Sequence, residues 1–264
     1  MAIVPDLPLQ LQSEQFKQLT HVQLHAEQFL EHFDELASLT KQTAPIRQPN
    51  PGRDDLYLLE TDRSMGVDIQ IRERALERAI WQSCLPPNDT DEWLLRFCCR
   101  KIQAYQVPLK QSEADKGWGK LDLIGVSSQW TPMVLELKQE VGDNPLRMIA
   151  EGLSYAIALR RAWDDGHFKE CWAKVMKAQY DQESPVELGQ LSVVGIAPKE
   201  YWQRAVFGPQ GLMPRQAWVT LKSITKRCEA AGYPILFAEF DVVESESPTS
   251  IPIVQNVRLI ELPS

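Results

Sequence analysis

Two short segments restrict this chain more than anything else in it: Gly119-Lys120-Leu121-Asp122-Leu123-Ile124-Gly125 and Met133-Val134-Leu135-Glu136-Leu137-Lys138. Each sets a carboxylate inside an apolar run. Strand side chains alternate between the two faces of a sheet. Glu136 and Lys138 therefore share one face, and Leu135 and Leu137 take the other. Leu121 and Leu123 likewise point away from Asp122. If the two strands form a hairpin, its loop centres near Gln129. That register sets Asp122 directly opposite Glu136, with Cβ atoms about 4.5–5.5 Å apart.

Two carboxylates so placed repel each other and weaken the sheet. A divalent cation between them removes the conflict. Hard oxygen ligands with open positions suit Mg²⁺ or Mn²⁺. Such an ion lowers the pKa of bound water and neutralises charge on a phosphoryl oxygen. Lys138 would orient that water or stabilise the developing charge. The plainer alternative is a surface ion pair, since Glu-x-Lys triplets are common on solvated strand faces. The acid in the preceding strand, the glycines on either side of it and the apolar neighbours of both acids favour a site.

The surrounding pattern supplies a layered fold. Residues 11–41 read as one amphipathic helix, with Phe16, Leu19, Val22, Phe29, Leu30, Phe33 and Leu36 at helical spacing. A proline-rich stretch follows, so residues 1–54 read as a helical arm and linker, and 55–264 as the main domain. In that domain 56–59 reads as a short strand, and 69–84 and 91–101 as helices. Residues 102–109, 120–126 and 133–138 read as three strands. Asn144 and Pro145 open the next helix as N-cap and first-turn residue. Residues 191–197 are apolar throughout, as in a central strand. A helix over 216–230 and strands over 235–243 and 253–262 complete an α/β layer order.

The segments G-K-L-D-L-I-G and P-M-V-L-E-L-K, followed by a helix, resemble the PD-(D/E)XK nuclease superfamily over about residues 69–200. The resemblance implies a restriction-endonuclease-like α/β core of helix, three-stranded meander, helix and strand, here with an N-terminal helical extension. It implies metal-dependent hydrolysis of DNA phosphodiesters, with RNA an alternative substrate. Asp122, Glu136 and the Leu137 carbonyl would bind Mg²⁺ or Mn²⁺, and Lys138 would position the attacking water. Leu121 stands where the family's proline precedes the acid. Members often carry a glutamate on the first core helix, and Glu73 and Glu77 are the candidates here. Ile69, Glu73, Leu76 and Ile80 share one apolar stripe, which favours Glu73 for a second metal or its water shell.

On the helix after the Glu-x-Lys strand, Arg147, Glu151 and Tyr155 lie at i, i+4 and i+8, opposite Leu146, Ile149, Leu153 and Ile157. The family pattern Q-x-x-x-Y would put Gln where Glu151 stands. Arg147, in the first turn, could hold a substrate phosphate or form an ordinary ion pair with Glu151. Tyr155 and Lys120 are further nucleic-acid contacts to expect, and Trp118 and Trp130 could stack on a base.

Composition sets limits on this reading. The net charge is −8, so the chain lacks the overall basic footprint of a dedicated nucleic-acid binder, and substrate contact has to be local. This favours a rival reading, a non-catalytic nucleic-acid-binding or assembly module on a nuclease-like fold. Five cysteines without a C-x-x-C pair give neither a disulfide framework nor a zinc knuckle. No run approaches the roughly 18 apolar residues of a membrane helix, and Asp6 and two prolines interrupt any leader-like run. The expectation is a cytoplasmic, reduced protein without a membrane partner. Residues 11–41 offer a surface for a homodimer.

Overall fold

Cys99–Pro108 (β1), Lys120–Ser127 (β2) and Pro132–Leu137 (β3) form an antiparallel meander. The structure, a computed structural model, describes residues 22–48, 56–59, 72–83, 99–110, 118–139, 144–207, 213–243 and 252–261. Val193–Pro198 (β4) lies parallel to β3, Ile235–Val243 (β5) parallel to β4, and Ile253–Ile260 (β6) antiparallel to β5. The result is a mixed α/β architecture on an open six-stranded sheet of order β1-β2-β3-β4-β5-β6.

The β2–β3 register runs from Leu123↔Leu135 to Val126↔Pro132. Carried one step beyond the paired residues, this register sets Asp122 opposite Glu136. The turn fixes this register. Trp130 N–H donates to the Ser127 carbonyl, and Ser127 N–H to the Thr131 carbonyl. Residues 128–130 thus form a three-residue loop whose last member takes a left-handed conformation, Trp130 at φ 62°. Glycine usually fills that position. Here Trp172 Nε1 donates to the Trp130 carbonyl over 2.8 Å, the Tyr180 ring lies 5.5 Å away, and Arg100 stacks on the indole at 4.5 Å. These contacts hold a bulky residue where the backbone disfavours it, and they leave Trp130 engaged within the chain.

Val22–Glu31 (α1), Phe33–Thr43 (α2) and Arg72–Ser83 (α3) precede the meander. Pro145–Asp164 (α4) and His167–Tyr180 (α5) join β3 to β4; Lys199–Trp202 (α6) and Arg215–Ala230 (α7) join β4 to β5. Two apolar cores lie on opposite faces of the sheet. Alternate residues of β4 supply them: Val193 and Ala197 enter the larger, Val194 and Ile196 the smaller. Among the described helices, α3 alone covers the smaller core, through Leu76, Ala79, Ile80 and Trp81. The other six contribute to the larger.

Where sequence and structure differ, the reasons are local. The described part of the N-terminal helix bends at His32 (φ −103°, ψ 20°). Hydrogen bonds from His32 N–H to Gln28 and from Leu36 N–H to His32 carry the ladder through the bend. Val22, Ala26, Phe29, Phe33 and Leu36 are all buried in the larger core, and Asp34 pairs with Arg227 of α7. Residues 56–59 form a turn rather than a strand, and 99–101 belong to β1 rather than to a helix. The remainder of the 91–101 helix expectation, and residues 11–21 of the first helix, lie outside the described residues. The helix α5 goes beyond the sequence reading; it packs Phe168, Trp172, Val175 and Met176 inward. Among the described residues no helix is long and apolar enough to cross a membrane.

Candidate functional site

Buried acids concentrate at one end of the β2–β3 hairpin. Among the described residues the buried carboxylates are Glu77, Asp122, Glu136, Glu151 and Glu239. Only Glu239 lies elsewhere, paired with Arg258. Lys138 is the one buried lysine or arginine among the described residues, at 5% exposure.

Each side chain arrives for a definite reason. Asp122 shares its strand face with Ile124 and Val126, and Glu136 with Val134, all apolar residues of the larger core. The pair therefore faces α4. Leu137 N–H donates to Asp122 Oδ2 over 2.9 Å. The helix α4 starts where Asn144 caps it: Asn144 Oδ1 accepts from Arg147 N–H at 3.0 Å. Gly152 then lets the helix down onto the sheet. A Cβ there would lie 2.5 Å from Val193 Cγ1 and 3.6 Å from Glu136 Cβ. This approach puts Glu151 against Lys138. Lys138 Nζ lies 2.6 Å from Glu136 Oε1 and 2.5 Å from Glu151 Oε2, while Arg147 Nη2 lies 2.5 Å from Glu151 Oε1. Glu136 Oε2 is buried and receives no hydrogen bond among the described residues.

From the other side α3 brings Glu73, half-buried, and Glu77, 1% exposed. One oxygen from each of Glu73, Glu77 and Asp122 lies within 4.8 Å of the others. Gln106 of β1 donates its amide to both oxygens of Glu77, at 2.8 and 2.7 Å. Gln106 sits between the pairs Tyr105↔Leu123 and Val107↔Leu121, level with Asp122, and its φ is 52°. A non-glycine residue held there stores local strain, of order 1 kcal/mol or more.

The electrostatics follow from crowding. Among the described residues Lys138 acts on Asp122, Lys138 and Arg147 act on Glu151, and Arg74 acts on Glu77. Burial pushes the Asp122 carboxyl up to about 7; Glu73 and Glu151 add to this, and Lys138 and the Leu137 N–H oppose it. Burial, then Asp122 and Glu73, push Glu77 up to about 9 against the Gln106 amide. Burial and Asp122 raise Glu136 well above the carboxylate range. Lys138 moves the other way from what burial dictates, because Glu136, Glu151 and Asp122 hold its ammonium charged. Glu151 is also an exception. Burial raises it, but Lys138 and Arg147 outweigh burial and keep it below its usual value.

The structure brings Asp122, Glu136, Lys138 and Glu73 together as the sequence reading groups them. It places Glu136 against Lys138 and outside the Glu73–Glu77–Asp122 trio. Arg147 takes the ion pair with Glu151. Tyr155 is half-buried above the cluster, its hydroxyl raised well above the phenol range by burial and then by Glu136, Asp122 and Glu151. Lys120 is exposed at the start of β2. Sequence reasoning underweighted Glu77, which sits four residues after Glu73 and three before Ile80, hence on the same stripe. It missed Gln106, which carries no motif signal, and the bridging role of Glu151.

No protein-family model, curated protein or solved structure matches the chain. The functional reading therefore rests on the site itself.

Proposed function

We propose that the chain is a metal-dependent nuclease that hydrolyses DNA phosphodiester bonds on a restriction-endonuclease-like core. One observation carries this reading: an excess of buried carboxylates, gathered with the only buried lysine at the end of the β2–β3 hairpin among the described residues. Without a cation, burying such an excess is costly. The donor set is oxygen throughout, which fits Mg²⁺ or Mn²⁺ better than a softer ion. The undonated Glu136 Oε2 adds a buried acceptor that a cation would satisfy.

Asp122, Glu136 and the Leu137 carbonyl would hold the ion, with Glu73 and Glu77 supplying oxygens on the α3 side. The ion supplies charge neutralisation at the phosphoryl group and a more acidic water. Lys138 holds a proton at Nζ and aims it from between Glu136 and Glu151, where it can orient the attacking water or meet the developing negative charge. Water adds to phosphorus as the bond to the leaving oxygen breaks, and that oxygen takes up a proton. Lys120 and Tyr155 flank the cluster and would meet the substrate backbone.

The test is incubation of the purified chain with duplex, single-stranded and branched DNA, and with RNA, in Mg²⁺, Mn²⁺ or EDTA. Metal-dependent scission of DNA is expected. Scission of RNA alone would move the substrate class. No scission, together with no thermal shift in millimolar metal, would favour the non-catalytic module.

A further inference from the structure

Sequence reasoning offers Arg147 to a substrate phosphate. The geometry gives it another task. Its side chain is only 12% exposed, and its Nη2 lies 2.5 Å from Glu151 Oε1. The second oxygen of the same carboxylate, Oε2, lies 2.5 Å from Lys138 Nζ. One carboxylate thus holds two cations, one with each oxygen. We infer that Glu151 and Arg147 form a positioning pair for Lys138: Arg147 fixes the orientation of Glu151, and Glu151 fixes the ammonium. The inference rests on the nuclease reading, in which Lys138 acts at the phosphoryl group.

A lysine ammonium is a point charge on a flexible four-carbon stem. Glu136 restrains it from its own strand, through one contact at 2.6 Å. That contact alone leaves the ammonium free to swing about it. The second contact comes from α4, a separate and rigid element seated on the sheet at Gly152 and capped by Asn144. Two anchors on different elements define a position. The residue type matters as well. A carboxylate has two acceptor oxygens and serves both cations, whereas a glutamine has one acceptor oxygen and can serve one.

The test compares wild type with Glu151→Gln, Arg147→Met and Arg147→Lys on a DNA duplex in saturating Mn²⁺, with kcat, KM, the Mn²⁺ concentration for half-activity and the melting temperature measured for each. Misplacing a catalytic group by about 1 Å costs on the order of 100-fold in rate. Glu151→Gln is expected to lose about that much in kcat, with KM and the Mn²⁺ requirement within about twofold of wild type. Arg147→Met should fall in the same direction, and Arg147→Lys should recover part of the loss. If Glu151→Gln lacks a cooperative melt, Arg147→Met and its lysine counterpart decide the matter. Variants as fast as wild type would overturn the inference. So would a loss in Arg147→Met confined to KM with an altered salt dependence, the mark of a phosphate contact. A wild type that cuts no DNA overturns the nuclease reading and this inference with it; an active wild type with unimpaired variants overturns this inference alone.

Discussion

Replacing Asp122 by Asn should make the metal-free protein more stable at neutral and alkaline pH. Asp122 is 8% exposed, and burial raises its carboxyl from 3.8 to about 7. A carboxyl bound more tightly to its proton in the folded state than in the unfolded state favours folding below about pH 4. That contribution is lost as pH rises toward 7, because the unfolded chain ionises first. The shift of about three units corresponds to a loss on the order of 4 kcal/mol. Release of the neighbouring Glu77 and Glu136 from the Asp122 charge acts in the same direction. Asn keeps an oxygen to accept from Leu137 N–H, so the hydrogen bond of 2.9 Å survives. Lys138 keeps Glu136 and Glu151. A gain of roughly 2–4 kcal/mol raises the melting temperature of a chain this size by about 5–15 °C. Thermal melts in EDTA at pH 8 should show it, and melts near pH 4 should show the two proteins alike. Millimolar Mn²⁺ closes most of that gap at pH 8. A site filled at a hundred times its dissociation constant adds about 2.7 kcal/mol to the wild type and little to the Asp122→Asn variant. Lower stability of Asp122→Asn than of wild type in EDTA at pH 8 would refute the claim that Asp122 is an electrostatically disfavoured carboxylate.

Two further outcomes follow from the packing. Gly152→Ala sets a methyl 2.5 Å from Val193 Cγ1, a β-branched partner with little freedom to move. Overpacking of about 1–3 kcal/mol exceeds the gain of roughly 0.5–1 kcal/mol from removing a helical glycine. Denaturant unfolding should show a net loss, and cleavage should fall as α4 carries Glu151 away from Lys138. Phe29→Ala, in a side chain fully buried in the larger core, should lower stability by about 3–5 kcal/mol in the same assay; a loss near zero would mean that α1 is a detachable arm.

The legible part of this protein is the part governed by local period and local chemistry. The β2–β3 register could be read because each strand sets a single carboxylate in an apolar run and the loop length is symmetric about Gln129. The start of α4 could be read because Asn144 and Pro145 each have one dominant use there. The apolar run at Val193–Pro198 marks a strand buried on both faces, which its place between β3 and β5 explains. What could not be read depends on partners distant in sequence. The bend at His32 lacks glycine or proline; it divides a helix whose first half packs on α7 and whose second half packs on α4. Glu73 and Glu77 lie about 40° apart in a helical projection, with Glu73 nearer the apolar stripe, and the position of α3 against β1 and β2 makes Glu77 the deeper. The left-handed Gln106 and Trp130 are held by tertiary contacts that override their residue type. The bridge through Glu151 needs Arg147 and Lys138 on two elements brought together by two close glycine approaches, at Gly152 and at Gly195, where Met148 packs.

The most direct measurement is cleavage of supercoiled, linear, single-stranded and branched DNA in Mn²⁺ or Mg²⁺ by wild type, Lys138→Ala and Asp122→Ala side by side. Metal-dependent cutting by the wild type, lost in both variants while Lys138→Ala keeps its thermal shift with Mn²⁺, is the predicted result. A wild type that cuts none of these substrates, or cutting that survives both substitutions, would contradict the account.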